Sequence, residues 1–355
     1  MVAGTGQAQE VNVTTGSTSA KLGGEFRGEL IYDDNGLMKT KGNDPDATTD
    51  IQVTAANVTL DGKINPDTDY SFEFNLLGNG KPLTYGYGTH WFSKTIGFSI
   101  GRQKVLQGGF DNIDGDYDGH VIGAYASNLV FSEFADMIGF HVKAGGDITV
   151  QILDDVQGDW NTKAKQTFVL GWRGEFGPIM PMVNIGSYDN NKSNWFDIGV
   201  KTKMNALTAS LDIYMNSMSN KYADPADAKK NKDIKDTASA YTLKVAYEIK
   251  GTATPWFYFS TYDTKEGTDS NIAARKEERK VNSMTTDAST GATTYNWDDN
   301  GMTWGLGANL HMMGKGWSPF IAILSHSGKW ADPADATKEE TKSNMMIKLG
   351  ALGEI

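Results

Sequence analysis

The chain has 355 residues, with 40 glycines, 9 prolines, no cysteine and a formal net charge of −11. The missing cysteine excludes thiol catalysis, disulfide scaffolds and cysteine-based zinc sites, and the acidic balance argues against nucleic acid as a partner. No apolar run reaches the roughly 20 residues that a membrane-spanning helix needs.

Residues 1–20 are rich in Gly, Thr, Ser and Gln and lack a basic stretch followed by an apolar one, so no secretory signal is read there. This composition predicts a flexible N-terminal segment over 1–19 ahead of a single domain over 20–355. From residue 20 the pattern has period two. Leu22, Gly24, Phe26, Gly28, Leu30 and Tyr32 alternate with Gly23, Glu25, Arg27, Glu29 and Ile31. Phe168, Leu170 and Trp172 alternate with Thr167 and Arg173, and Tyr241, Leu243, Val245 and Tyr247 with Thr242, Lys244 and Glu248. The same alternation sets Met302, Trp304 and Leu306 against Thr303, and Met345, Ile347 and Leu349 against Lys348. Each is a strand with one greasy and one polar face.

Predicted strands fall near 20–32, 51–62, 69–77, 85–92, 95–103, 136–144, 147–155 and 162–175. They continue near 177–187, 194–203, 206–217, 238–249, 254–263, 301–313, 317–327 and 343–355. Most run about 9 to 12 residues, the length a tilted strand needs to cross a bilayer, whereas soluble strands average about 5 to 6. Aromatic residues gather near strand ends, and tight turns such as Asn65-Pro66-Asp67, Gly145-Gly146, Gly177-Pro178 and Gly251-Thr252 alternate with long polar loops. The expectation is an all-β fold: an antiparallel transmembrane β-barrel of about 16 strands, wide enough for an aqueous channel.

The long loops are expected at 33–50, 104–135, 222–236, 265–300 and 327–342. Two of them share Ala-Asp-Pro-Ala-Asp-Ala, at 223–228 and 331–336, where Asp before Pro predicts a capped helical turn. The alternating charges of 273–280 predict a solvated loop helix.

The most informative stretch is the strand Thr-Ile-Gly-Phe-Ser-Ile-Gly-Arg-Gln over 95–103 and the acidic loop that follows it. With Gly101-Arg102-Gln103 closing the fifth strand, the chain resembles the Gram-negative outer-membrane porins, in which the next loop folds into the pore as a constriction. The resemblance in architecture covers nearly all of the chain from about residue 20. It departs in ending at Ile355 rather than Phe and in lacking the Pro-Glu-Phe-Gly-Gly run common in enterobacterial members. The resemblance implies an outer-membrane location, contact with lipid and lipopolysaccharide, a homotrimer, and passive diffusion of small hydrophilic solutes and ions.

A loop as long as 104–135 is usually functional. It carries Asp111, Asp114, Asp116, Asp118 and Glu133, and carboxylates in a narrow channel concentrate cations. The facing basic wall is expected from Arg27, Arg102, Arg173, Lys201 and Lys244. Arg102 shares the parity of Ile96, Phe98 and Ile100, so an inward position requires a bulge at Gly101. Asp114, Asp116 and Asp118 also match the opening of a calcium loop, but position twelve is Tyr125 rather than Glu, which makes calcium a weak candidate and no cofactor the expectation. No catalytic motif stands out, so the chain is not read as an enzyme. The alternatives are a sugar- or anion-selective channel of the same fold, or a non-conducting structural or adhesive barrel.

Overall fold

The structure is a computed structural model and describes residues 11–15, 18–36, 46–77, 82–110, 134–153, 167–188, 193–224, 227–265, 284–286, 293–295, 300–311, 317–332 and 335–354. Its strands are β1 (Val11–Thr15), β2 (Thr18–Asp33), β3 (Thr48–Asn65), β4 (Thr68–Asn75), β5 (Leu83–Trp91), β6 (Ile96–Lys104) and β7 (Phe134–Lys143). Next come β8 (Asp147–Leu153), β9 (Thr167–Arg173), β10 (Ile179–Tyr188), β11 (Ser193–Met204), β12 (Leu207–Asp224), β13 (Asp227–Tyr247) and β14 (Ala253–Lys265). The last are β15 (Met284–Thr286), β16 (Thr293–Tyr295), β17 (Asn300–Leu310), β18 (Trp317–Asp332) and β19 (Asp335–Glu354).

Each strand from β2 to β14 pairs antiparallel with the next, β14 pairs with β17, and β17 to β19 continue the ladder. The circle closes where β19 returns to β2, with Leu349 opposite Leu30. The sheet holds 17 strands, of which β1 only folds back on the start of β2, leaving sixteen around the barrel. All sixteen predicted strands are present. Residues 11–19, expected as a flexible lead-in, instead supply β1 and the start of β2, because pairing with β2 satisfies their backbone groups.

The side-chain alternation is inverted relative to a soluble sheet. On β11, Trp195, Asp197 and Gly199 are buried while Ile198 and Val200 are 41% and 40% exposed. Register places Ile198 beside Ile213 and Val200 beside Leu211 on one side, and Asp197 beside Tyr214 and Gly199 beside Asp212 on the other. Leu22, Phe26 and Leu30 on β2, Phe168 and Leu170 on β9, and Leu306 on β17 continue the exposed apolar band. Such a band is the lipid-facing surface of a membrane barrel, and the polar face is its lumen.

The described short turns share one rim. Gly145, Gly177 and Gly251 take positive φ of 64°, 61° and 70°, which a two-residue reversal requires and glycine adopts without a Cβ clash. Phe92, Phe176 and Tyr247 stand exposed beside these turns, as interfacial aromatics do.

Two expected loops are instead strand. β12 and β13 run out to pair Asp224 with Asp227, and β18 and β19 to pair Asp332 with Asp335. Both show the same register shift, after Ala223 and after Ala331, and the described residues on either side of each repeat's centre, 223–224 and 227–228, 331–332 and 335–336, are strand rather than a helical turn. An isolated turn of helix carries the full nucleation cost, whereas extending an existing ladder adds paired residues at little further cost. Residues 273–280 lie outside the described residues.

An arginine in the apolar band should be costly. Ile198→Arg is expected to destabilise the barrel by about 2–4 kcal/mol, measured by urea unfolding from lipid vesicles. An unchanged midpoint would mean that Ile198 does not face lipid.

Candidate functional site

The chain does not leave the barrel after β6. Beyond Lys104, residues Val105, Gln107, Gly108, Gly109 and Phe110 are all buried. Gln151 of β8 holds the start of this segment, its Nε2 donating to Lys104 O at 2.9 Å and its Oε1 accepting from Leu106 N at 3.0 Å. Gln107 Nε2 then donates to the Tyr214 hydroxyl at 2.7 Å. The Asp197 carboxylate accepts from Gly108 N at 2.6 Å and Gly109 N at 3.2 Å, and the Asp212 carboxylate from Phe110 N at 2.9 Å.

Asp197, Asp212 and Tyr214 stand on the inward side of β11 and β12, which β7 to β10 separate from β6 along the wall. The segment 105–110 therefore crosses the inside of the barrel. A net hydrogen bond contributes about 0.5–1.5 kcal/mol, and losing the acceptor costs about 1–3 kcal/mol more where water cannot replace it. Two cations stand over the Phe110 ring, Arg173 Cζ 5.1 Å and Lys201 Nζ 5.9 Å from its centroid. Gly199 lies against that ring, where a Cβ would come within 2.9 Å of it.

Under this segment the inner wall is apolar. Val105 joins Met137, Leu153, Val169, Trp195, Tyr214, Trp256, Tyr258 and Leu324 in one buried cluster, which spans inward positions from β7 to β18. The opposite side stays open. A cavity of about 780 Å³ is lined there by residues that include Glu25, Arg27, Glu73, Tyr85, Tyr87 and Lys104. Arg27 pairs with Glu25 at 2.5 Å, and Lys348 Nζ lies 3.2 Å from the buried carboxylate of Glu29. Thr54, the extra residue where β3 bulges against Arg27 and Gly28, donates to Glu29 at 2.9 Å.

Of the basic residues expected on the wall, Arg27, Arg173 and Lys201 face inward as described. Lys244 does too, paired in register with the buried Ser210 and Tyr258. Arg102 does not. Register runs through Gly101 unshifted against both β5 and β7, so no bulge turns Arg102 inward, and it keeps the outward parity of Ile96 and Ile100. Its Nε donates to Thr84 O at 2.9 Å, and exposed Asp136 is its register partner on the outer side. Asp111, Asp114, Asp116, Asp118 and Glu133, and with them the calcium candidate, lie outside the described residues. Among the described residues no group of three His, Asp or Glu side chains could hold a metal ion.

Sequence reading passed over Gln107, Gln151, Asp197, Asp212 and Tyr214. The one signal available was the inward parity of two acids, Asp197 and Asp212, in strands whose outward positions are apolar.

No protein-family model matches the chain, and no curated protein matches it. Solved structures do. The outer-membrane channel DcaP of Acinetobacter baumannii superposes with a TM-score of 0.64 at 10% identity, over 96% of this chain and 99% of that one. OmpT, an outer-membrane protein of Vibrio cholerae, gives 0.63 at 12% identity over 97% and 100%. An anion-selective porin from Comamonas acidovorans gives 0.63 at 11% over 95% and 100%. The fold is that of the bacterial outer-membrane porins and channels.

Because the chain has no cysteine of its own, Phe110→Cys offers a clean reporter of the docked segment. A water-soluble thiol reagent should label it slowly, and adding Asp197→Ala with Asp212→Ala should speed labelling at least about tenfold. Equal rates in both backgrounds would show that these carboxylates do not hold the segment.

Proposed function

We propose that this chain is a porin of a Gram-negative outer membrane, a water-filled channel for passive diffusion of small hydrophilic solutes and ions. The observation that carries this reading is the segment 105–110 docked across the lumen, which leaves an open cavity on one side of a barrel too wide for its own side chains to fill. In this reading the acidic run Asp111, Asp114, Asp116 and Asp118 continues the docked segment and narrows the channel, and Arg27, Arg173, Lys201 and Lys244 supply the facing positive wall. Carboxylates in a confined, low-dielectric passage then favour cations. The apolar outer band sits in lipid with lipopolysaccharide at the loop rim, and three copies assemble as in the porins whose fold it shares.

A catalytic reading finds little support. Ser99 Oγ lies 2.8 Å from His141 Nε2, but the serine is fully buried and bonds Gln103, while the other ring nitrogen meets Thr149 rather than a carboxylate. Without an exposed nucleophile and an orienting acid, this set ties β6 to β7 and β8.

Purified protein in a planar bilayer should give steady ion channels whose reversal potential favours cations at low salt and less so at high salt, as screening predicts. Replacing Asp114, Asp116 and Asp118 together by Asn should lower the cation preference. No conductance above leak would overturn the channel reading, and unchanged selectivity would remove the acidic run from the passage.

A further inference from the structure

At the short-turn end of the open sector one aromatic face stands apart from the docked segment. Trp91 ends β5 on the inward side and lines the cavity. Its register partner on β6 is Gly97, where a Cβ would lie 2.7, 2.9 and 3.0 Å from three atoms of the indole. One face of the ring therefore rests on bare backbone with no room for a side chain beneath it. His141 stands beside it, ring centroids 6.1 Å apart. Both nitrogens of that imidazole are engaged, Nε2 with Ser99 Oγ at 2.8 Å and Nδ1 with Thr149 Oγ1 at 3.3 Å, so this neighbour is held in place. The indole is left with one face to offer.

That face carries a cation of the chain's own. Lys143 Nζ stands 4.3 Å from the Trp91 ring centroid. The lysine is exposed, shares the inward parity of His141 and ends β7 just before the turn at 144–146. Its backbone N–H donates to Thr95 O at 2.8 Å, so the long stem swings from a fixed point. Asp147 is its register partner across the turn, yet among the described residues no ion pair joins the two. The ammonium settles on the ring instead. An exposed contact of this kind is weak, so another cation can displace the lysine. Trp is the strongest ring for such contacts, and it favours weakly hydrated organic ammonium groups over small inorganic ions that keep their water.

We propose that Trp91 is a binding site for organic ammonium cations at the short-turn mouth of the channel, with Lys143 as a tethered occupant that such a solute displaces. The proposal rests on the channel reading and adds to it a ligand class and a built-in competitor. The test is the ion current through the protein in a planar bilayer as choline is added. Saturable block of the wild-type channel is expected. Lys143→Ala, which empties the ring face, should lower the half-blocking concentration about tenfold, while Lys143→Arg, which keeps a cation there, should leave it near wild type. Adding Trp91→Leu to Lys143→Ala should abolish block, and neohexanol, the uncharged isostere of choline, should block none of these channels. Should Trp91→Leu fail to fold, Lys143→Ala against Lys143→Arg, and choline against neohexanol, still decide the matter. Equal half-blocking concentrations in wild type and Lys143→Ala, choline block that survives Trp91→Leu, or equal block by neohexanol would each overturn the proposal. Absence of any current would instead overturn the channel reading, so the two failures separate.

Discussion

Backbone hydrogen bonding inside lipid is the constraint from which the rest of this structure follows. A strand edge left open in hydrocarbon strands its N–H and C=O groups without water, at several kcal/mol for each group. Closing β19 onto β2 removes the edge, and everything else is a consequence of that closure. Sixteen strands enclose more space than their own side chains can fill. The outward parity must be apolar to meet lipid, which explains why modest overall hydrophobicity coexists with so many exposed aliphatic side chains. The lumen is then a solvent-filled void that the chain can shape only by sending a piece of itself inward.

The segment after β6 is that piece, and its anchorage is polar on one flank and apolar on the other. Asp197 and Asp212 accept backbone donors from Gly108, Gly109 and Phe110, while Val105 packs into the apolar cluster of the inner wall. A buried carboxylate without partners would be costly, so these acids and the segment depend on one another. The result divides the lumen. One sector is packed against the docked backbone, and the other, with Tyr85, Tyr87 and Trp91 along β5, remains open.

Much of this was legible from the residues. Period-two alternation located all sixteen barrel strands, and the parity of Lys348, Arg27 and Arg173 placed them inside. Illegible parts have identifiable causes. The Asp-Pro signal at 223–228 and 331–336 is a local capping preference, whereas the described residues 223–224, 227–228, 331–332 and 335–336 stand in ladders that extend strands already paired. Arg102 was placed in the pore on the strength of a bulge at Gly101, and the register passes that glycine without one. The docking acids were visible as inward residues, but their partners lie 89 and 102 positions away, a separation that periodicity does not bridge. The apolar inner wall was hidden for the same reason, since a polar lumen is the default expectation until something inside covers it.

The central claim is that the chain after β6 lies inside the barrel against β11. Phe110→Cys combined with Gly199→Cys tests it most directly, because no other thiol exists in the chain and the Phe110 ring lies against Gly199. In folded protein under mild oxidation the two cysteines should join, giving a reducible shift in mobility on a denaturing gel and leaving the barrel able to conduct. Two thiols that stay free and react readily with a bulky reagent from bulk solution would place the segment outside the lumen and contradict the account.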